Sequence, residues 1–112
     1  MKGLIIRQPW LGLILSGEKT LEMRSRPTTI RGEIALIQAG SGLVMGTCEL
    51  IACRGPFHIE TLKTIRFLSG IDYEKEPMLA KYNYAWELGN AQRFKQPIPY
   101  NHPRGSVIWV NL

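Results

Sequence analysis

The sequence is poor in the residues that build metal sites and disulfides, with two cysteines and two histidines among 112 residues. Cys48 and Cys53 lie five positions apart on a segment typical of a β-strand, where alternation directs their side chains to opposite faces. We therefore predict two reduced thiols. With only His58 and His102 besides, no cluster has the spacing of a zinc site, and we expect neither a metal nor a cofactor.

Long apolar runs are also missing from the chain. No run approaches the roughly 20 apolar residues of a membrane-spanning helix, and the start Met1-Lys2-Gly3 precedes no apolar segment with a cleavage site. We therefore expect a cytoplasmic protein without a membrane partner. No internal repeat or low-complexity linker interrupts the sequence, and its length suits one core, so residues 1–112 are predicted to form a single domain.

The positive charge is concentrated near the start of the chain. The formal net charge is +5 and the isoelectric point about 9.5, a balance that favours anionic partners such as nucleic acid. Residues 1–31 hold six of the 14 basic residues and only two of the nine acidic ones. Most of the charge that would attract such a partner therefore comes from the first third of the chain.

The segment SGEKTLEMR, residues 16–24, lies at a change of hydrophobic period. Before it, the apolar residues from Pro9 onward predict a short helix with proline in its first turn and Gly17 at its C-terminal cap. After Gly17, Leu21 and Met23 alternate with polar residues, which is typical of a half-buried strand. The alternation places Thr20, Glu22 and Arg24 together on the face opposite the core.

Most of the remaining segments are predicted to be strands. A first strand at 4–6 ends before the Gln8-Pro9 pair, and the segments 32–38 and 43–51 predict a hairpin. Further predicted elements are a helix at 58–68 ended by Gly70, a loop or broken helical turn at 71–82, strands at 84–88 and 106–110, and an extended proline-containing segment at 96–100 on an edge or in a loop. Five to six strands with two flanking helices indicate a small, partly closed β-barrel of the α+β or mainly β class.

Three segments carry a resemblance to a known family. They are Ile5-Ile6-Arg7-Gln8-Pro9-Trp10, then Gly17 to Arg24, which matches the pattern GxKxxExR at every fixed place, and Tyr84-Ala85-Trp86, followed by Arg93-Phe94, Pro97-Ile98-Pro99 and Gly105 before Trp109. In this order and spacing they resemble the ASCH domains, relatives of the PUA domains that bind RNA. The resemblance implies a PUA-like β-barrel with a helix-flanked cleft near the GxKxxExR segment.

Functions within this family are divided, so the resemblance leaves alternatives open. It implies an RNA-binding or coactivator-type module, an amidohydrolase that deacylates cytidine acylated on its exocyclic amine, or a ribonuclease. In the amidohydrolase a threonine stands where this chain has Glu22, whereas lysine and arginine match Lys19 and Arg24. It also carries a second acidic residue, for which this chain offers four candidates: Glu60, Asp72, Glu74 and Glu76.

The catalytic hypothesis centres on Lys19, Thr20 and Glu22. As a base, Lys19 would need its pKa lowered from about 10.4 by roughly three units, which burial and the neighbouring Arg7 and Arg24 favour and Glu22 opposes. Alternatively, Glu22 takes a proton from water while Lys19 and Thr20 stabilise the oxyanion formed at an attacked amide.

The binding hypothesis needs no chemistry. Arg7, Lys19 and Arg24 would hold an anionic backbone, and Trp10 or Tyr84 would stack on a base. Gln8 is expected in the same cleft, and Glu22 would accept a hydrogen bond from an exocyclic amine. The expected partner is thus RNA or a modified nucleoside such as a cytidine derivative.

Simpler interpretations exist for these residues. Glu22 and Arg24 would otherwise form a solvated pair on one strand face, worth well under 1 kcal/mol. Trp10 and Trp86 would otherwise be core residues. Neither His102 nor Ser106 is assigned a role.

Overall fold

The computed structural model describes all 112 residues, which form six strands and four short helical segments. The strands are β1 (Lys2–Ile6), β2 (Leu21–Arg24), β3 (Gly32–Gln38), β4 (Leu43–Arg54), β5 (Tyr84–Pro99) and β6 (Trp109–Asn111). The helices are α1 (Trp10–Ser16), α2 (Ile59–Thr64), α3 (Arg66–Ser69) and a 3-10 helix (Pro77–Lys81). None of these helices is long and apolar enough to cross a membrane.

One sheet contains all six strands in the order β2-β5-β4-β3-β1-β6. The β1 and β3 strands are parallel, and every other pair is antiparallel. The sheet curls into a half-barrel, and β2 and β6 form its two open edges. The β3–β4 pair is the predicted hairpin. The predicted small PUA-like barrel of five to six strands is therefore confirmed.

The α1 helix forms where the sequence predicts it. Gly17 adopts the left-handed conformation at the C-terminal cap, with φ 85°, and its N–H bonds to the carbonyl of Ile14. The helix buries Leu11, Ile14 and Leu15 in the largest core cluster, which also contains Leu4, Ile6, Ile34, Leu36, Cys48, Leu50, Trp86 and Leu88. This packing holds the end of α1 against the inner face of the sheet.

A second core cluster holds β2 in place. Leu21 and Met23 are buried in it, as the strand alternation predicts, together with Leu62 of α2 and Tyr73 of the following loop. On its other side β2 pairs with the start of β5, with Leu21 opposite Glu87. The short strand is thus held between the sheet and the helical segment of residues 59–81.

The second predicted helix is divided in two. Residues 58–68 were expected to form one helix, but Ile65, with φ −100° and ψ 15°, separates α2 from α3. The reason lies in burial, because Leu62 is the only fully buried residue of α2, whereas Phe67 is 88% exposed. The apolar positions therefore do not form one continuous stripe that a single helix could bury.

The β5 strand is longer than expected because its prolines lie where one edge is free. β2 pairs with β5 only from Tyr84 to Glu87, so the later part of β5 has a neighbour on one side alone. Pro97 and Pro99 fall in this part, where a missing N–H disrupts no ladder on the free side. The extended, edge-confined segment predicted at 96–100 is in this respect confirmed.

The predicted placement of the two cysteines is wrong. Cys48 is buried in the largest core cluster and Cys53 packs against the same cluster. A β-bulge between Leu50 and Ala52 shifts the alternation of β4 by one residue, so side chains five positions apart reach the same core. Both thiols are free.

Candidate functional site

Lys19 is held in the short connection between α1 and β2. Its backbone N–H donates to the carbonyl of Leu13, and the N–H of Thr20 donates to the carbonyl of Leu68 in α3. Leu88 of β5 in turn donates its N–H to the carbonyl of Thr20. Two helices and a strand therefore fix the backbone here, which directs the lysine side chain inward rather than into solvent.

The Lys19 amine is buried, with 2% of the residue exposed. Its Nζ donates hydrogen bonds to the carbonyl oxygens of Leu21, at 2.6 Å, and Ser69. It also lies 5.3 Å from the centroid of the Trp10 ring. Burial lowers the pKa of Lys19 to about 8, the negative charge of Glu22 limits that fall, and Arg24 adds slightly to it. The pKa of Lys19 is therefore lowered by most of the amount that a general base would require.

A buried Glu22 and a half-buried Arg24 form a pair that is largely shielded from solvent. The Nε and Nη2 atoms of Arg24 each lie 2.9 Å from Oε2 of Glu22, and Glu22 is 6% exposed. Arg24 Nη2 also donates to the carbonyl of Ile5, at 3.0 Å, and its guanidinium lies 5.6 Å from the centroid of the Trp86 ring. Both side chains are thereby locked in one orientation.

The second carboxylate oxygen of Glu22 is left open. Oε1 lies 3.7 Å from Lys19 Nζ, beyond hydrogen-bond distance, and accepts no hydrogen bond within the protein. No fully buried polar side-chain atom lacks a partner, so Oε1 is reachable by solvent or ligand. The site thus presents one free, oriented acceptor beside a buried amine.

These groups line a cavity of about 650 Å³, within the range of small-molecule sites. Five of the predicted binding or catalytic residues line it: Arg7, Trp10, Lys19, Glu22 and Arg24. The rest of the wall is formed by Ile5, Met23, Ala39, Gly40, Ile71, Leu79, Tyr82, His102, Ser106 and Val107. The structure therefore brings the amine, the carboxylate and two guanidinium groups to one concave surface.

Three predicted site residues do not line this cavity. The Gln8 side chain accepts from the N–H of Gly12 and donates to Oε1 of Gln38, so it supports the start of α1. Thr20 makes only backbone hydrogen bonds. Tyr84 lies opposite Arg24 in the β2–β5 ladder and packs against the largest core cluster.

None of the candidate second acids lines the cavity either. Asp72 pairs with Arg66 at 3.4 Å and accepts N–H groups from its own turn. Glu60 pairs with Lys63 on the surface of α2. Glu74 and Glu76 are exposed in the same loop as Asp72. No group of three or more His, Cys, Asp or Glu side chains is arranged to hold a metal ion.

Sequence reasoning missed the wall contributed by Tyr82 and by the loop between β5 and β6. In that loop, His102 Nε2 lies 2.9 Å from the carbonyl of Ser106 and Nδ1 lies 2.7 Å from the Tyr100 hydroxyl. Because a carbonyl only accepts, Nε2 carries the proton and Nδ1 accepts from Tyr100. No local pattern marks these residues, which reach the cavity because β6 returns to pair with β1 at Lys2 to Leu4 and the preceding loop follows it.

A smaller cavity also borders Lys19. Its volume is about 310 Å³. It is lined by Leu13, Glu18, Lys19, Arg66, Phe67, Gly70 and Asp72. Its two acidic residues are matched by two basic ones, and Arg66 is paired with Asp72.

The half-barrel and its flanking helical segments define the chain as a small PUA-like α+β domain. The model of the ASCH domain matches residues 4–98, and the chain belongs to the ASCH family, which is generally thought to bind RNA. No curated protein matches the chain.

Several solved structures share the fold. The crystal structure of ASCH from Zymomonas mobilis superposes with a TM-score of 0.65 at 22% identity, covering 88% of this chain and 72% of that one. A tyrosine-to-phenylalanine variant of the Zymomonas mobilis protein gives 0.67 at 22% identity, with 88% and 74% covered. A serine-to-alanine variant gives 0.70 at 18% identity, with 99% and 87% covered. At these identities the likeness establishes the fold alone.

Proposed function

We propose that the large cavity binds a single base of RNA or of a modified nucleoside, with cytidine and its derivatives as the preferred class. The observation that carries this proposal is the free Oε1 of Glu22, held 3.7 Å from the Lys19 amine by the pairing of Oε2 with Arg24. An acceptor fixed in this way selects a ligand that offers a hydrogen-bond donor, because a bound ligand displaces water from Oε1 and leaving the carboxylate oxygen unpaired would then be costly.

Cytosine matches this pair of groups. Its exocyclic amine donates hydrogen bonds, which Glu22 Oε1 accepts, while its adjacent ring nitrogen accepts from the protonated amine of Lys19. Uracil lacks the exocyclic amine and would place a carbonyl oxygen against the carboxylate. The aromatic rings of Trp10 and Tyr82, both on the cavity wall, supply the apolar surface that a base needs.

This proposal is tested by titrating the protein with cytidine and with uridine. Binding is measured as a change in tryptophan fluorescence, to which Trp10 contributes. We expect cytidine to bind at least tenfold more tightly than uridine, and the preference to disappear in Glu22→Gln. Glu33→Gln on the exposed part of β3 is the matched control and should leave the preference intact. Equal affinity for both nucleosides in the wild type would refute the proposed recognition.

A second candidate function, hydrolysis of N4-acylated cytidine, is favoured by the pKa of Lys19. With a pKa of about 8, about a tenth of the lysine is neutral at pH 7, compared with about 0.03% at its ordinary value. A neutral amine that donates both of its N–H groups, to Leu21 and Ser69, keeps its lone pair for a proton. Lys19 then meets the requirement for a general base.

The reaction would use one water molecule. Lys19 takes a proton from water as its oxygen bonds to the acyl carbon, and the carbonyl electrons move onto the carbonyl oxygen. When this intermediate collapses, the carbon–nitrogen bond breaks and the proton on Lys19 passes to the departing exocyclic amine. The products are the free carboxylic acid and cytidine.

Incubation with N4-acetylcytidine distinguishes the hydrolase from a pure binding module. A hydrolase should release acetate at a rate that rises with pH up to about 8, and Lys19→Met should abolish release while Lys63→Met does not. Binding of N4-acetylcytidine without any acetate would assign the protein to the non-catalytic class.

A further inference from the structure

We infer that the ligand of the large cavity is a phosphorylated nucleoside, and that Arg7 is the residue that selects its single phosphate. This inference rests on the proposed function. It concerns the mouth of the same cavity, where the phosphate of the bound nucleotide would lie.

Two of the three cationic side chains on the cavity wall are already committed to internal partners. Arg24 is paired with Glu22 and bonded to the carbonyl of Ile5. The amine of Lys19 is bonded to two backbone carbonyls and lies beside Glu22. A phosphate drawn to either would compete with a buried carboxylate at close range, which is unfavourable. The inner end of the cavity therefore suits a polar but uncharged group.

Arg7 is the uncommitted cation on this wall. It is exposed, and its guanidinium makes no hydrogen bond or ion pair within the protein, although it lines the cavity. The other basic group of the wall, His102, has both ring nitrogens hydrogen-bonded to its own loop. A guanidinium with free N–H groups in a fork geometry is well suited to bidentate contact with a phosphate.

The backbone of Arg7 is fixed even though its side chain is free. Its carbonyl accepts the N–H of Leu11 at the start of α1, and the next residue, Gln8, is held by two side-chain hydrogen bonds. The base of the side chain is therefore positioned at the cavity while the guanidinium keeps its own donors. Such an arrangement allows a phosphate to be bound with little reorganisation of the protein.

The smaller cavity offers no uncommitted cation for a second phosphate. Its lining carries two positive and two negative side chains, and the amine of Lys19 is already bonded to two backbone carbonyls. The one arginine there is already paired with Asp72 at 3.4 Å. A second phosphate would therefore find no free cationic partner there. One base and one phosphate are therefore the ligand that fits, either as a mononucleotide or as the phosphorylated end of an RNA chain.

The experiment compares cytidine, cytidine 5′-monophosphate and cytidine 3′-monophosphate by calorimetric titration in buffer of low ionic strength, where charge interactions are least screened. We expect one monophosphate to bind about tenfold more tightly than cytidine, as one charge-assisted contact implies. Arg7→Gln should abolish this advantage while retaining cytidine binding, and Arg7→Lys should keep part of it. Arg93→Gln, an exposed arginine on β5 outside the cavity, is the matched control.

The outcomes separate this inference from the proposed function. If cytidine binds as tightly as both monophosphates, the phosphate inference is overturned, whereas the proposed recognition of the base is still supported. If none of the three ligands binds, both fail. An internal RNA segment without terminal phosphates that binds more tightly than either monophosphate would also overturn the inference. Tight binding of a 5′- or 3′-phosphorylated oligonucleotide alongside the monophosphate would support it and identify an RNA end as the source.

Discussion

Lys19 and Glu22 lie with Nζ and Oε1 3.7 Å apart in a site where both residues are buried. The distance is short enough for the carboxylate to favour the charged amine, yet the burial of the lysine outweighs it, and the pKa of Lys19 falls to about 8. The pair is therefore balanced near neutrality, where a small change in the surroundings alters the protonation of the amine.

The first prediction concerns stability and pH. The unfolded chain keeps the ordinary Lys19 pKa of 10.5 and binds more protons than the folded protein between about pH 8 and 10.5, so this group makes stability rise with pH across that window. We compare the free energy of unfolding of the wild type with that of Lys19→Met. The difference, wild type minus variant, should increase by about 2 kcal/mol from pH 7 to pH 9.5. Urea denaturation at both pH values measures it. Parallel curves for the two proteins would contradict a lowered pKa.

That comparison isolates Lys19 from the other shifted groups. Burial raises the pKa of Cys48 to about 12 and that of Tyr73 to about 12, which makes stability fall as the pH rises above their ordinary values. Both effects are present in the wild type and in Lys19→Met alike, so they cancel in the difference.

The second prediction is that Glu22 and Arg24 are strongly coupled. Glu22→Gln leaves the Arg24 guanidinium without its carboxylate, and Arg24→Gln leaves the carboxylate with only Lys19. Each single variant should lose about 3 kcal/mol of unfolding free energy. The double variant should lose clearly less than the sum, because no uncompensated charge of this pair remains. Additive losses in chemical denaturation would show that the pair is solvated after all.

The third prediction distinguishes two tyrosines. Tyr82 lines the cavity and Tyr84 does not, although each is partly buried against a core cluster. Tyr82→Ala should weaken binding of cytidine by about 1 to 3 kcal/mol, which is the usual contribution of one aromatic side chain stacked on a base. Tyr84→Ala should leave the affinity of the folded protein unchanged. Calorimetric titration compares the two, and equal losses would mean that Tyr82 contributes no specific contact.

The fourth prediction concerns the close approach of β4 and β5. A Cβ atom at Gly46 would overlap the backbone oxygen of Gln92, so Gly46→Ala must displace the main chain. At Gly89 the nearest atom, at 2.8 Å, is the end of the flexible Ile51 side chain. We expect Gly46→Ala to lower the free energy of unfolding by about 3 kcal/mol or more and Gly89→Ala by about 1 kcal/mol. Thermal denaturation of the two variants provides the comparison.

Much of the fold follows from local pattern. The α1 helix and its cap at Gly17, the β3–β4 hairpin and the strand at Leu21 are predicted from periodicity and turn residues, because in each the local preference agrees with the tertiary contacts. The division of the second helix and the bulge before Cys53 are not predicted. Both depend on which side chains find a core to enter, and a linear sequence does not record that.

The candidate site was predicted in part, for a similar reason. Glu22 and Arg24 share a face because alternate residues of a strand do so. Tyr82 and His102 reach the same cavity only because the chain returns to it after long intervening segments. Tyr84 carries the same kind of aromatic ring, but its place in the β2–β5 ladder directs it to the core.

Which residues stand side by side along each strand and turn follows from the order of the amino acids, because backbone geometry imposes a fixed period on neighbouring side chains. The chemistry of these residues depends instead on how the folded chain packs. Burial of the Lys19 amine, the orientation of Glu22 by Arg24 and the freedom of Arg7 are set by how much water each group retains and which partners it meets. Those quantities arise from the packing of distant segments, so no local pattern contains them.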